Sequence, residues 1–104
     1  MRRALDGNKS TMSRRAQFNF RIYVSGDALN SDQALANLGA LCRAYLPNRH
    51  EIEVVEVFRE PKRAPAYGIF MTPTLVKIAP PPPRRIVGAL SQTKLVLQTL
   101  GLQT

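Results

Sequence analysis

The segment that most constrains this fold is a Thr-Pro-Thr turn, Thr72–Thr74, which leads directly into an apolar run. Proline lacks a backbone N–H, so it is excluded from the interior of a sheet and is found where the chain turns or a strand begins. Cis peptide bonds in folded proteins occur almost only before proline and typically in tight turns, and we predict one before Pro73. The apolar run predicts a strand over residues 74–79. Gly68 is predicted to end a short helix over residues 60–68.

Hydrophobic periodicity places the elements before this turn. Apolar and polar residues alternate over residues 18–24, which predicts a strand, and residues 52–58 form a second apolar run. A helix is predicted between them, with Asn30 and Gln33 forming a capping box at its start and Pro47 ending it. Its predicted buried stripe consists of Leu35, Leu38, Leu41, Cys42, Tyr45 and Leu46.

The elements after the third strand are specified less clearly. Four consecutive prolines, residues 80–83, form a stiff turn, and residues 84–89 fit a short fourth strand. Ser91 is predicted to cap a last helix that carries Leu95, Val96, Leu97 and Leu100. The same segment alternates enough to form a strand, and the two preferences differ by about 1–2 kcal/mol, so tertiary contacts decide.

The predicted order of elements is βαβαββα, which is the order of a single α/β domain with the thioredoxin-like fold. A thioredoxin enzyme carries a Cys-x-x-Cys pair at the turn after its first strand. Here that turn, residues 25–31, reads Ser-Gly-Asp-Ala-Leu-Asn-Ser and holds no thiol. We therefore predict a non-enzymatic protein, and a thiol oxidoreductase on this scaffold is the less favoured alternative.

The amino-acid composition argues against several kinds of functional site. The 104 residues include one Cys and one His, which nearly excludes zinc sites and Ser-His catalysis, so we predict no catalytic residues, metal or cofactor. Cys42 is interpreted as a core residue and His50 as a solvated loop residue. No apolar run approaches the ~20 residues that span a bilayer. Without a secretory signal at the N-terminus, we expect a cytoplasmic location.

The formal net charge of +8 is unevenly distributed. Residues 1–17 contain five basic side chains and one acidic side chain, lack periodicity, and are predicted to form a disordered basic arm before a folded domain over residues 18–104. A basic balance favours an acidic partner, either nucleic acid or a protein surface. No aromatic residues alternate with the basic ones in the arm, which disfavours nucleic-acid binding.

Four segments resemble the KaiB family of cyanobacterial circadian-clock proteins: residues 20–26, 30–31, 72–77 and 81–91. The resemblance covers about residues 18–102. It implies a non-enzymatic protein that binds a KaiC-type ATPase, helps to sequester KaiA, and displaces SasA. It also implies two states, a homotetrameric ground state with the order βαββααβ and a thioredoxin-like monomer. A KaiB paralogue that acts with a KaiC-like ATPase in a stress response is the alternative.

One departure from the family pattern falls at a junction that the resemblance implies is involved in switching. The family commonly reads Gly-Asp-Leu-Ser where this chain has Gly88-Ala89-Leu90-Ser91. Replacing the Asp removes a charge and a turn-forming side chain. We predict that Pro73, Gly88 and Ala89 act as structural or fold-switch positions, and that the monomeric thioredoxin-like form is favoured.

The best basic cluster predicted within the domain joins Arg84 and Arg85 to Lys77 on the adjoining strand. Arginine's planar guanidinium suits bidentate pairing with a partner's carboxylates, although a solvated basic face is the alternative. Tyr23 and Tyr67 are candidate anchors for a partner or ordinary aromatic residues of a strand and a helix end.

The second strand is predicted at the edge of the sheet, where unpaired backbone groups can accept a strand from a partner. Glu53 and Glu56 lie on this strand. They are predicted either to contact a partner or to prevent unwanted strand pairing.

Overall fold

The computed structural model describes residues 17–102. The predicted basic arm, residues 1–17, therefore lies outside the described residues except for Gln17. That residue donates its backbone N–H to the Arg49 carbonyl at 3.0 Å and accepts a hydrogen bond from the Arg49 side chain.

The first half of the domain is a β-α-β unit. Strand β1 spans Phe18–Val24, helix α1 spans Leu29–Tyr45, and strand β2 spans His50–Glu56. The two strands pair in parallel, with Phe18 opposite His50 and Val24 opposite Glu56. Parallel neighbours need a crossover connection, which α1 provides.

The second half adds an antiparallel hairpin and two helices. A one-turn helix α2 (Arg63–Ala66) precedes strand β3 (Thr74–Ala79), and strand β4 (Arg84–Val87) precedes helix α3 (Thr93–Leu100). The sheet order is β2-β1-β3-β4, so β2 is an edge strand, as predicted. This arrangement confirms the predicted thioredoxin-like order βαβαββα, and the segment with ambiguous propensity forms a helix.

One face of the sheet packs against α1 and α3 and carries most of the core. Side chains alternate along each strand, so Phe20 and Ile22 of β1 and Leu75 of β3 share this face. They are at most 2% exposed and pack with Leu38 of α1 and Leu97 of α3. Tyr45, which was predicted to belong to the buried stripe of α1, is instead 40% exposed because it lies on the last turn of the helix.

The opposite face carries a smaller cluster beneath α2. Its buried members are Tyr23, Val55, Ala64 and Ile69. Because α2 has only four residues, it covers only one end of this face, the end near the carboxyl ends of β1 and β2. The rest of this face carries both charged side chains, such as Arg21 and Glu53, and apolar ones, such as Val76.

Both predicted helix caps are wrong. Helix α1 begins at Leu29, one residue before the predicted cap Asn30, and its start has no side-chain cap. The Ser31 hydroxyl instead accepts a hydrogen bond from the Ser25 N–H at 3.1 Å, which ties the helix to the preceding turn. At α3 the boundary residue is Gln92 rather than Ser91, again without a side-chain cap.

Candidate functional site

The turn between β1 and α1, where a thioredoxin enzyme would place its thiols, is built from hydrogen bonds to hydroxyl and carboxylate groups. Gly26 has φ of 48°, a left-handed conformation that favours glycine. The Glu56 carboxylate accepts hydrogen bonds from the N–H groups of Gly26, Phe58 (3.0 Å) and Arg59 (3.1 Å). One side chain at the end of β2 therefore fixes the β1–α1 turn and the segment after β2.

The loop that leads into β3 meets this turn. The Thr72–Pro73 peptide bond is cis, as predicted. The hydroxyl groups of Thr72 and Ser25 share a hydrogen bond, and the Thr74 hydroxyl donates to the Met71 carbonyl at 2.6 Å. The β1–α1 turn and the cis-proline loop therefore form one continuous surface at the end of the sheet.

Large apolar side chains are exposed on and beside this surface. They are Leu29 (70% exposed), Phe58 (75%), Phe70 (82%), Met71 (64%) and Val87 (54%), here called the sheet-end patch. A β-carbon placed on Gly26 would lie 3.9 Å from the Phe58 ring, which locates Phe58 beside the β1–α1 turn. Phe70, Met71 and Val87 line one shallow groove. Clustered apolar side chains of this size are a signature of protein-binding surfaces.

The single thiol lies elsewhere. Cys42 is fully buried on α1 within the core. Burial raises the pKa of its thiol to about 11, so the nucleophilic thiolate is scarce at neutral pH. This placement agrees with the interpretation of Cys42 as a core residue.

Charged residues form a row across the α2 face. Strand register aligns Glu53 of β2, Arg21 of β1, Val76 of β3 and Arg85 of β4. The Glu53 carboxylate lies 2.8 Å from Arg21 Nε and 2.8 Å from Arg63 Nη1. Hydrogen bonds from Arg63 and Arg21 lower the pKa of Glu53 below its ordinary value. The network links α2 to the two strands beneath it.

The predicted basic cluster does not come together. Lys77 is only 4% exposed and shares the core face with Leu75, and its ammonium group donates to the Leu100 carbonyl at 3.3 Å. Arg84 pairs with Lys77 in the hairpin and lies on that face, whereas Arg85 pairs with Val76 and lies on the opposite one. The prediction that the three residues share one exposed surface is therefore wrong, since successive residues of a strand point to opposite faces.

Tyr23 is not a surface anchor. Its side chain is 1% exposed in the small cluster, and its hydroxyl accepts a hydrogen bond from Arg21 Nη1 at 3.4 Å. Tyr67 is 56% exposed, and the Arg21 guanidinium lies 5.1 Å from its ring centre. Of these two tyrosines, Tyr67 alone is exposed enough to contact a partner.

The two glutamates of the edge strand have different surroundings. Glu53 is exposed and belongs to the charged row. The Glu56 carboxylate instead accepts hydrogen bonds from backbone N–H groups of its own chain. Contact of either residue with a partner stays a prediction. The occupied Glu56 carboxylate favours a structural role for that residue.

The predicted fold-switch positions lie close together. The Gly88 N–H donates to the Pro73 carbonyl at 2.9 Å, and Gly88 has φ of 115°, which favours glycine. The Ala89 carbonyl accepts a hydrogen bond from Asn37 Nδ2 at 2.7 Å. These contacts connect the cis-proline loop, the end of β4 and α1, and a switching role for the three positions stays a prediction.

The sheet-end patch was not predicted from the sequence. Its signal was available, because Phe70 and Met71 immediately precede the Thr72–Thr74 turn and Phe58 ends the second apolar run. Large apolar residues beside turns are candidates for exposure, since connecting segments run over the protein surface.

Comparison with known proteins gives the family. A KaiB domain model matches residues 21–102. The chain belongs to the KaiB family. The circadian clock protein KaiB3 of Synechocystis is 42% identical over 82 residues, which cover 79% of this chain and 78% of that protein. A circadian clock oscillator protein KaiB of Prochlorococcus marinus is 40% identical over 91 residues, covering 88% and 76% of the two chains.

Solved structures resemble this KaiB-family chain in fold. The N-terminal domain of Synechococcus elongatus SasA superposes with a TM-score of 0.67 at 21% identity, covering 85% of this chain and 87% of that domain. The Drosophila melanogaster thioredoxin Deadhead superposes with a TM-score of 0.69 at 15% identity, covering 99% and 97%. At these identities the likeness concerns the fold alone, and both structures support the thioredoxin-like assignment.

Among residues 17–102, no group of three or more His, Cys, Asp or Glu side chains is placed to hold a metal ion. Within the same part of the chain, no helix is both long enough and apolar enough to cross a membrane.

Proposed function

We propose that this KaiB-family protein is a non-enzymatic clock component that binds a KaiC-type ATPase. Its membership of a family whose relatives are named circadian clock proteins is the observation that carries the proposal. The position used for thiol chemistry in thioredoxins is occupied here by hydroxyl groups, a carboxylate and exposed apolar side chains. A surface of this composition suits binding rather than disulfide exchange.

The docking surface in this proposal is the sheet-end patch. Its five apolar side chains are each more than half exposed, and burying them against a partner would release a favourable hydrophobic free energy. Backbone N–H groups that donate to the Glu56 carboxylate, and the hydrogen bond between Ser25 and Thr72, hold the surrounding loops in place. A fixed surface loses little conformational entropy when a partner binds.

The proposal also covers interactions with other clock proteins and the oligomeric state of the unbound protein. Bound to the ATPase, the protein would help to sequester KaiA or displace SasA, and it would switch between a tetrameric ground state and the thioredoxin-like monomer. The thioredoxin-like arrangement of residues 17–102 is the binding form in this scheme. Because Ala89 replaces the commonly found Asp, we expect the monomer to predominate at micromolar concentration.

Size-exclusion chromatography with the KaiC-type ATPase of the same organism, in ATP and in ADP, tests the proposal. We expect the wild-type protein to co-elute with the ATPase in at least one nucleotide state. Phe70→Asp places a charge in the sheet-end patch at a side chain that is 82% exposed, so the fold should tolerate it while binding falls at least about tenfold.

The matched control is Ile78→Asp, which introduces the same charge at an exposed position near the opposite end of β3. It should bind the ATPase as the wild type does. Failure of the wild type to bind in either nucleotide state would refute the proposed partner. Equal loss in both variants would refute the proposed surface.

A further inference from the structure

Beside the sheet-end patch, whose groove Arg85 also lines, a second cavity lies on the α2 face. It measures about 480 Å³. Its floor is formed by Tyr23, Val76 and Ile78 of the two central strands. Tyr67, after α2, and Pro83, before β4, form its walls. This volume lies within the range of small-molecule sites, which are about 300–1,000 Å³.

Two guanidinium groups stand at the rim of this cavity, and its lining includes no carboxylate. Arg21 forms an ion pair with Glu53, whose carboxylate lies 2.8 Å from Arg21 Nε. The Arg21 guanidinium also stacks on the Tyr67 ring. Arg85 is different. Among residues 17–102, its guanidinium contacts the carbonyl oxygens of Gly68 (3.3 Å) and Tyr67 (2.5 Å) and no carboxylate. No carboxylate within that part of the chain therefore compensates its positive charge.

The Arg85 guanidinium is also held in place. Its two hydrogen bonds to the Tyr67–Gly68 segment fix its position at the rim of the cavity. A guanidinium has five N–H donors, so three remain for a ligand. A fixed planar cation of this kind matches a carboxylate, which it can bind through two parallel hydrogen bonds.

We propose that this cavity binds a small planar aromatic carboxylate. The ring would lie on the apolar floor of Val76 and Ile78 beside the Tyr67 ring, and the carboxylate would pair with Arg85. Charge complementarity selects an anion, and the apolar floor selects an aromatic ring over a bare anion such as phosphate. The proposal does not rest on the proposed ATPase binding, although Arg85 also lines the groove of Phe70, Met71 and Val87.

The test uses 2-naphthoate as the probe, with its neutral analogue 2-naphthamide for comparison. Titration of the ¹⁵N-labelled protein should shift the amide resonances of Tyr67, Val76, Ile78 and Arg85. Because the amide lacks the charge that pairs with Arg85, its affinity should be at least about tenfold lower. Inorganic phosphate at the same concentration should leave these resonances unchanged.

Two variants locate the site, and one provides a matched control. Arg85→Gln should weaken 2-naphthoate binding at least about tenfold, whereas Arg84→Gln, on the opposite face of the same strand, should change it less than about twofold. Ile78→Asp places a negative charge on the floor and should abolish binding. The amide spectrum of each variant reports whether it is folded.

Three results would overturn the proposal. They are no binding of 2-naphthoate by the wild type, equal binding of naphthoate and naphthamide, and equal effects of Arg85→Gln and Arg84→Gln. A variant at a sheet-end position that lines neither the cavity nor the Arg85 groove separates this proposal from the clock function: Leu29→Asp should weaken ATPase binding and leave 2-naphthoate binding intact.

Discussion

The two faces of the sheet differ in what holds them together. The face against α1 and α3 is a continuous apolar core in which Ile22, Leu38 and Leu75 are at most 1% exposed. The face toward α2 has a cluster of four buried residues and then a charged row that includes Arg21, Glu53 and Arg85. We therefore expect the first face to contribute most of the stability of the domain. The second face and the adjoining end of the sheet provide the surfaces that a partner or ligand can use.

Matched isoleucine truncations on the two faces give the largest expected effects. Ile22→Ala empties a fully buried position in the main core and should lower the free energy of unfolding by about 4 kcal/mol. Ile69→Ala removes the same atoms from the small cluster, where the short helix α2 can relax, and should cost about 2 kcal/mol. Urea unfolding measures both values, and equal losses would refute the distinction between the faces.

Replacing the buried lysine on the core face should change the free energy of unfolding by a smaller amount and in the opposite direction. Burial lowers the pKa of Lys77 below 10.5, and the nearby charge of Arg84 lowers it further. Lys77→Met keeps an unbranched apolar side chain at this position and removes the cost of burying a charge, so unfolding should become about 1 kcal/mol less favourable.

The pH dependence tests the same residue. Between the lowered folded pKa and the unfolded value near 10.5, the unfolded chain binds more protons, so wild-type stability should rise with pH in that window. The advantage of Lys77→Met should shrink over the same range. An advantage that is independent of pH up to 10.5 would contradict the role assigned to the buried ammonium.

The charged row gives the smallest effect. Glu53→Gln removes two partly exposed ion pairs and should cost at most about 1 kcal/mol, less in high salt. Because the folded pKa of Glu53 is lowered, its contribution is complete above the unfolded value near 4.5 and is lost as the pH falls through the folded value. Chemical denaturation in low and high salt measures the change, and a loss of several kcal/mol would mean that this face is as structural as the core.

The same contrast explains what the sequence could predict. Alternation over residues 18–24 and helical spacing in α1 identified the core face, because burial on one side leaves a periodic pattern. The position of Lys77, two residues from Leu75, also follows from that pattern. The position of Lys77 was nevertheless predicted wrongly, because the residue was expected to belong to an exposed basic cluster.

The α2 face could not be predicted in this way. Its ion pairs join residues such as Arg21 and Glu53, which are 32 positions apart, and strand register is not readable from one sequence. Tyr23 was misplaced for a related reason. It lies on the nominally outward face of β1, but β1 is a central strand and α2 covers that end of it.

We propose that this thiol-free, thioredoxin-like scaffold serves protein binding. Amide resonances of the ¹⁵N-labelled protein, recorded with and without the KaiC-type ATPase, test this claim most directly. We predict that the resonances that shift or broaden most will be those of residues 26–29, 58 and 70–72, at the sheet-end patch. Changes confined to the outer surfaces of α1 and α3, or no changes at all, would contradict it.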